Sequence, residues 1–178
     1  MDIYFSDETS IRLKGKKTAL VIDPTSTVEA DAILLTQKNL SYVKLDKVKN
    51  ARVTIAGSGE YEIGGVAIVG VKVGETTTYY VKMDGVALVH LGGITAPLSD
   101  SEIDKYPSVD VLFVPVIKGI AEMVTKFEAK VVVPIKYENA SLTEFFKEMG
   151  KDAVNTQPKL SISREKLPAE LEIVALKG

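Results

Sequence analysis

Between residues 61 and 91 four strand-like runs alternate with two-residue turn signals, and this confines the chain to a fold built around an antiparallel meander. The runs are Tyr61 to Ile63, Val66 to Val73, Thr77 to Met83 and Val86 to Leu91. Gly64-Gly65, Gly74-Glu75 and Asp84-Gly85 join them. Such pairs supply the positive φ that tight hairpins need. Upstream, Ile3-Tyr4-Phe5 and Ser10 to Leu13 alternate as strands do, with a turn at Lys14-Gly15-Lys16-Lys17. Thr18 to Asp23 and Ala32 to Thr36 are continuous apolar runs, read as buried strands lying parallel to one another. Arg52 to Ala56 is a further strand, followed by the turn Gly57-Ser58-Gly59.

Downstream of the meander the pattern changes. Ser99 to Tyr106 reads as a short helix capped by Ser99 or Asp100. Lys118 to Phe127 is a second helix. Ser141 to Gly150 is a third, with Ser141 as cap, Glu144 in the capping-box position and Gly150 as the stop. Val109 to Val116, Ala129 to Ile135 and Leu171 to Leu176 are strands between and after them. Lys44 to Lys49 reads as the solvated face of a helix. Strands first and helix–strand alternation second predict an α/β (α+β) arrangement, with sheets inside and helices outside. No Gly/Ser/Pro linker divides the 178 residues, so one domain over 1–178 is expected.

Composition narrows the function. Hydrophobic residues are 46% and charged residues 26%, the balance of a globular domain. The net charge of −2 and the lack of a long basic run argue against nucleic acid as a partner. No stretch approaches the length of a membrane span, and the N-terminal residues lack the pattern of a secretory leader, so no membrane association and a cytoplasmic location are expected. There is no cysteine, which removes disulfide and thiol chemistry. Scarce Gln with abundant Lys and Glu leans toward a heat-adapted source. Above all, His90 is the one histidine of the chain. A single histidine without cysteine cannot make a His-rich or Cys-rich zinc centre.

Several segments, taken in order, carry a family resemblance. They include Gly15-Lys16, Ile22-Asp23-Pro24, Gly57-Ser58-Gly59-Glu60-Tyr61-Glu62-Ile63, His90-Leu91-Gly92 and Val109 to Val116. Further ones are Val131 to Tyr137, Phe145 to Gly150, Lys159 to Ser163 and Leu167-Pro168. The chain resembles small metallo-β-lactamase-fold hydrolases near the ascorbate-6-phosphate lactonase group. The resemblance implies a four-layer αββα metallo-β-lactamase-like sandwich, two mixed β-sheets flanked by helices, with metals held by loops at one edge.

The metal ligands of that family do not carry over. By the resemblance, its His-x-His-x-Asp-His motif falls on Gln37, Asn39, Ser41 and Tyr42. Its bridging Asp falls on Gly93 and its final His on Lys136. A ligand-bearing loop is cut to Gly74-Glu75, and an early Gly-His-Ser segment aligns with Asp7-Glu8-Thr9. His90 matches a histidine outside the ligand set. Amides and hydroxyls are feeble zinc donors, and an ammonium repels a cation. Without metal there is no activated water and no Lewis acid.

The expectation is therefore a metal-free, non-catalytic protein with no cofactor, which binds a small polar or anionic ligand or a protein partner. Its ligand site is the former metal cleft: Asp23, Gln37, Asn39, Ser41, Tyr42, Glu60, His90, Gly93, Lys136 and Tyr137. Lys136 is read either as a charge that balances Asp23 or Glu60, or as a solvated lysine at a strand end. Glu60 and Glu62 share one face of a strand and are read as solvated. Ser58 lacks a nucleophile-elbow context. An alternative within this class uses the sheet edges for self-association and leaves the cleft inert. The alternative is a divergent hydrolase, with a residual metal site drawn from Glu8, Asp23 and Glu60, or with catalysis by His90 and Lys136.

Overall fold

A computed structural model describes residues 1–7, 9–136, 139–152 and 155–177. The apolar runs pair into two mixed sheets. The first runs in the order Leu160–Ser161, Asp2–Phe5, Ile11–Lys14, Ala19–Ile22, Ala32–Leu34, Val53–Ile55. Its first four strands pair antiparallel and its last three pair parallel, so Ala19–Ile22 and Ala32–Leu34 lie parallel as expected. The second runs Glu172–Ile173, Val131–Ile135, Val111–Pro115, Val86–His90, Thr76–Met83, Val66–Val73, Gly59–Ile63. The meander forms its antiparallel half. Its hairpins turn as the sequence requires: Gly64, Gly65, Asp84 and Gly85 all have positive φ.

Alternation along each strand decides which core it serves. On Val111–Pro115, Val111 and Phe113 face an inner core, while Leu112 and Val114 face outward. The inner core also takes Ile11, Leu13, Leu20 and Ile22 from the first sheet, so it fills the space between the sheets. The outer core is closed by helix Ile120–Lys126, through Ile120, Met123 and Val124, and by helix Asn139–Glu148, through Leu142, Phe145 and Phe146. The third helix, Asp100–Ile103, has its N-cap at Ser99, whose N–H donates to the Glu102 carboxylate at 2.8 Å.

The outer side of the first sheet is covered more thinly. Val21, Ala30, Ile33 and Leu35 pack there against Val28, Val43, Val48 and Ala51. The cover is a 3₁₀ turn at Leu45–Lys47 and a parallel pair of short strands, Val28–Glu29 with Val48–Lys49. The expected helix over Lys44 to Lys49 is thus one 3₁₀ turn, ended by Val48 entering a strand. Ser141 is not a cap either, because its helix begins at Asn139. The stop at Gly150 is as expected. Its φ is 70°, its N–H donates to the Lys147 carbonyl, and the Lys151 N–H donates to that of Phe146. Among the described residues no helix is long and apolar enough to cross a membrane.

One polar bond stitches the sheets together. Tyr79 is fully buried in the inner core, and its hydroxyl donates at 2.8 Å to the carbonyl of Leu35, just past strand Ala32–Leu34. Burial drives its pKa up to about 12, so it stays a donor at any working pH. Tyr79→Phe leaves the Leu35 carbonyl without that donor in a dry interior. It should lower the unfolding free energy by about 1–3 kcal/mol at an unchanged urea slope. A loss below about 0.3 kcal/mol would show that the sheets do not depend on this bond.

Candidate functional site

Four chain segments leave the sheets at one edge, each past the C-terminal end of a parallel-paired strand. Asp23 follows Ala19–Ile22, Thr36 follows Ala32–Leu34, Gly92-Gly93 follow Val86–His90, and Lys136 follows Val131–Ile135. Open α/β sheets commonly present their ligand sites at this edge.

Asp23 is completely buried, with φ 44°. A buried carboxylate needs donors, and three reach it. The Thr9 hydroxyl donates at 2.6 Å, and Thr36 donates both its N–H, at 2.8 Å, and its hydroxyl. Burial pushes the Asp23 carboxyl above the ordinary aspartate value. The bonds from Thr36 and Thr9, and the positive charge of Lys136, oppose that rise. The Thr9 proton goes to Asp23, so the Tyr42 hydroxyl, 2.9 Å away, donates to the Thr9 oxygen. Thr9 and Thr36 are themselves buried. Neither was among the residues singled out in the sequence. The signal that could have found them is Asp23 itself, an acid closing an apolar run beside a parallel run that ends in Thr36.

His90 is buried as well, with both ring nitrogens engaged. The Gly92 N–H donates to Nδ1 at 3.1 Å, which leaves the proton on Nε2 for the Thr9 carbonyl at 2.9 Å. Phe113 lies beside the ring, centroids 5.6 Å apart. Burial lowers the His90 pKa to about 4, so the imidazole is neutral. Gly92 must be glycine, with φ 60° and Thr76 and Thr36 both within 3 Å of where a Cβ would stand.

The other expected site residues divide. Gln37 is half-buried and donates through Nε2 to the Thr76 hydroxyl at 3.0 Å. It lines two adjoining grooves. One of about 560 Å³ includes Asn39, Ser58 and Lys72. The other, of about 440 Å³, includes Gly93, Ile94 and Leu98. Lys136 is exposed, with φ 49°, and its Nζ would stand 3.1 Å from a Cβ on Gly93. It forms no ion pair within 4.0 Å of Asp23 and acts on it through space alone. Ser41 is exposed and lines neither groove.

Glu60 is not in the cleft. It points to solvent from the edge strand Gly59–Ile63, while Tyr61 and Ile63 on the opposite face pack on the inner core. The register His90–Tyr79–Gly70–Gly59 puts it three strands from His90, roughly 14 Å away. Among the described residues it makes no ion pair with Lys136 and joins no converging group of acids with Asp23. Glu8 and Tyr137 lie outside the described residues.

Among the described residues the donor set does not fit a metal ion. Among the described residues no three of His, Cys, Asp and Glu converge. His90 has no free lone pair, and both Asp23 oxygens already accept hydrogen bonds. The buried, neutral His90 is likewise out of reach as a base.

A family described as "Beta-lactamase superfamily domain" matches residues 2–136. Among solved structures, the chain is similar to a Thermotoga maritima protein of the metallo-β-lactamase superfamily, named by inference as a Zn-dependent hydrolase. That likeness has a TM-score of 0.81 at 22% identity over 99% of this chain and 98% of the other. It is also similar to Igni18, a metallo hydrolase from Ignicoccus hospitalis, with a TM-score of 0.68 at 13% identity over 97% and 94%. An isothiocyanate hydrolase from Delia radicum gut bacteria gives 0.66 at 11% identity over 92% and 99%. At these identities the likeness shows the fold alone. No protein of curated function matches the chain.

With one histidine in the chain, its titration is unambiguous. The His90 ring should remain in the Nε2–H form at pH 5–6 and titrate near 4, as read by ¹⁵N–¹H NMR of the imidazole. Because the folded pKa is depressed below 6.5, the stability it confers is full above that pH and is lost as pH falls toward about 4. The loss is at most about 3 kcal/mol. Asp23, shifted upward, works in the opposite sense as pH rises above the ordinary aspartate value. A midpoint near 6.5 would refute the closed His90 network.

Proposed function

This chain belongs to the β-lactamase superfamily, and we propose that it is a metal-free, non-catalytic member that binds a small polar or anionic ligand. One observation carries the reading. The buried acid and the one histidine at the cleft are fully engaged by Thr9, Thr36 and Gly92, so neither is left to hold a metal or to move a proton. The adjoining grooves present amide, hydroxyl, ammonium and carboxylate, from Gln37, Asn39, Thr76, Lys72 and Glu75, with the Lys136 ammonium close by against Gly93. These groups orient a ligand and do not activate water. Groove volumes of about 440 and 560 Å³ suit a small molecule. A cytoplasmic setting fits a chain without cysteine.

A second reading is a divergent hydrolase with a rearranged metal site. The names of the full-length structural neighbours favour it, since all three are named as hydrolases and two of them as metal-dependent. Metal content separates the two. The purified, untagged protein, incubated with zinc, manganese and iron and then desalted, should hold less than about a tenth of a metal per chain. It should turn over no phosphoester, lactone or thioester above background, and a chelator should leave its melting temperature unchanged. One or two metals per chain together with hydrolysis would establish the second reading.

A further inference from the structure

We infer that the groove over Gly93 takes a small molecule with a single anionic head on an apolar body, and that the Lys136 ammonium is the counter-ion of that head. This rests on the metal-free reading of the same cleft.

The first ground is the state of Lys136. Its ammonium lies against Gly93, in the space a side chain there would claim. Among the described residues no hydrogen bond or ion pair engages it. Its backbone holds φ 49°, a region that lysine seldom occupies. Such outliers gather where a side chain must be aimed. Asp23 feels its charge but cannot neutralise it by contact, because both Asp23 oxygens are enclosed by threonine donors.

The second ground is the groove. Past Gly93 part of its wall is apolar, with Ile94, Ala96, Pro97, Leu98 and Val73. That wall gives an aliphatic body somewhere to leave water. Gln37 donates to the Thr76 hydroxyl, which holds both side chains in place on the groove wall.

The third ground sets the charge count. Two carboxylates, Glu75 and Glu102, line the same groove. They repel anionic charge along the groove, so a single head is tolerated only at the Gly93 end beside Lys136, and the body that runs past them must be neutral.

The probes are hexanoate, the neutral isostere hexanamide and the dianion adipate. They are titrated into ¹⁵N-labelled full-length protein with EDTA present. Hexanoate should move the Gly92, Gly93 and Lys136 amides saturably. Hexanamide and adipate should bind about tenfold more weakly or less, Lys136→Met should weaken hexanoate by about tenfold or more, and Lys136→Arg should retain it. Because hexanoate and hexanamide are compared on the unaltered protein, the test stands even if a variant folds poorly. Equal binding of hexanoate and hexanamide, indifference to Lys136→Met, or no saturation below about 20 mM would overturn the inference and leave the metal-free reading standing. Hexanoate binding that needs added zinc and survives Lys136→Met would overturn both.

Discussion

The Asp23 carboxylate is the constraint around which the functional edge is arranged. Removing a carboxylate from water costs several kcal/mol unless donors replace the water. Three donors do so, and they come from separate parts of the chain. Thr9 sits in the turn between the first two strands, and Thr36 ends the strand parallel to that of Asp23. Thr9 extends the network further. Its carbonyl accepts from His90 on the second sheet, and its hydroxyl accepts from Tyr42 on the covering segment. One polar seam therefore fixes the relative positions of both sheets and the loop across them. Tyr79 makes the neighbouring stitch from inside the core.

The same bonds that stabilise this edge occupy the lone pairs of His90 and Asp23. A general base needs an accessible lone pair, and a metal needs several converging ones. His90 and Asp23 have spent theirs on the protein. Their rigidity has a different use, since it fixes the strand ends from which Gln37, Gly93 and Lys136 project. A preorganised set of modest donors is what a binding site requires.

Much of the architecture was legible because it is locally encoded. The hairpins at Gly64-Gly65 and Asp84-Gly85 follow from the residues that accept positive φ, and strand faces follow from alternation, down to the solvated Glu60 and Glu62. What was misplaced depends on long-range order. Glu60 sits in a segment that resembles the family, but only the strand order shows that three strands separate it from His90. Thr9 was named only as part of the segment matched to Gly-His-Ser, and Thr36 was passed over, because neither stands where the family carries a metal ligand. The hydroxyls that close the site show up only when the partners of a buried acid are counted. The helix read over Lys44 to Lys49 became one 3₁₀ turn because Val48 is taken up by pairing with Val28, a contact invisible to local periodicity.

The distribution of burial also shows which positions at this edge the fold depends on. The positions that the resemblance assigns to metal ligands are nearly all peripheral to the cores. Asn39, Ser41 and Lys136 are exposed, Gln37 and Tyr42 are half-buried, and Gly93 adds no side chain. Exchanging such residues alters little of the apolar packing that holds the sheets. Asp23 and His90 are in the opposite position: each is enclosed, and each removal would leave partners stranded in a dry interior. The edge thus has an enclosed inner layer tied into the packing and an outer layer that the packing does not constrain. Likeness of the whole fold reports on the inner layer alone.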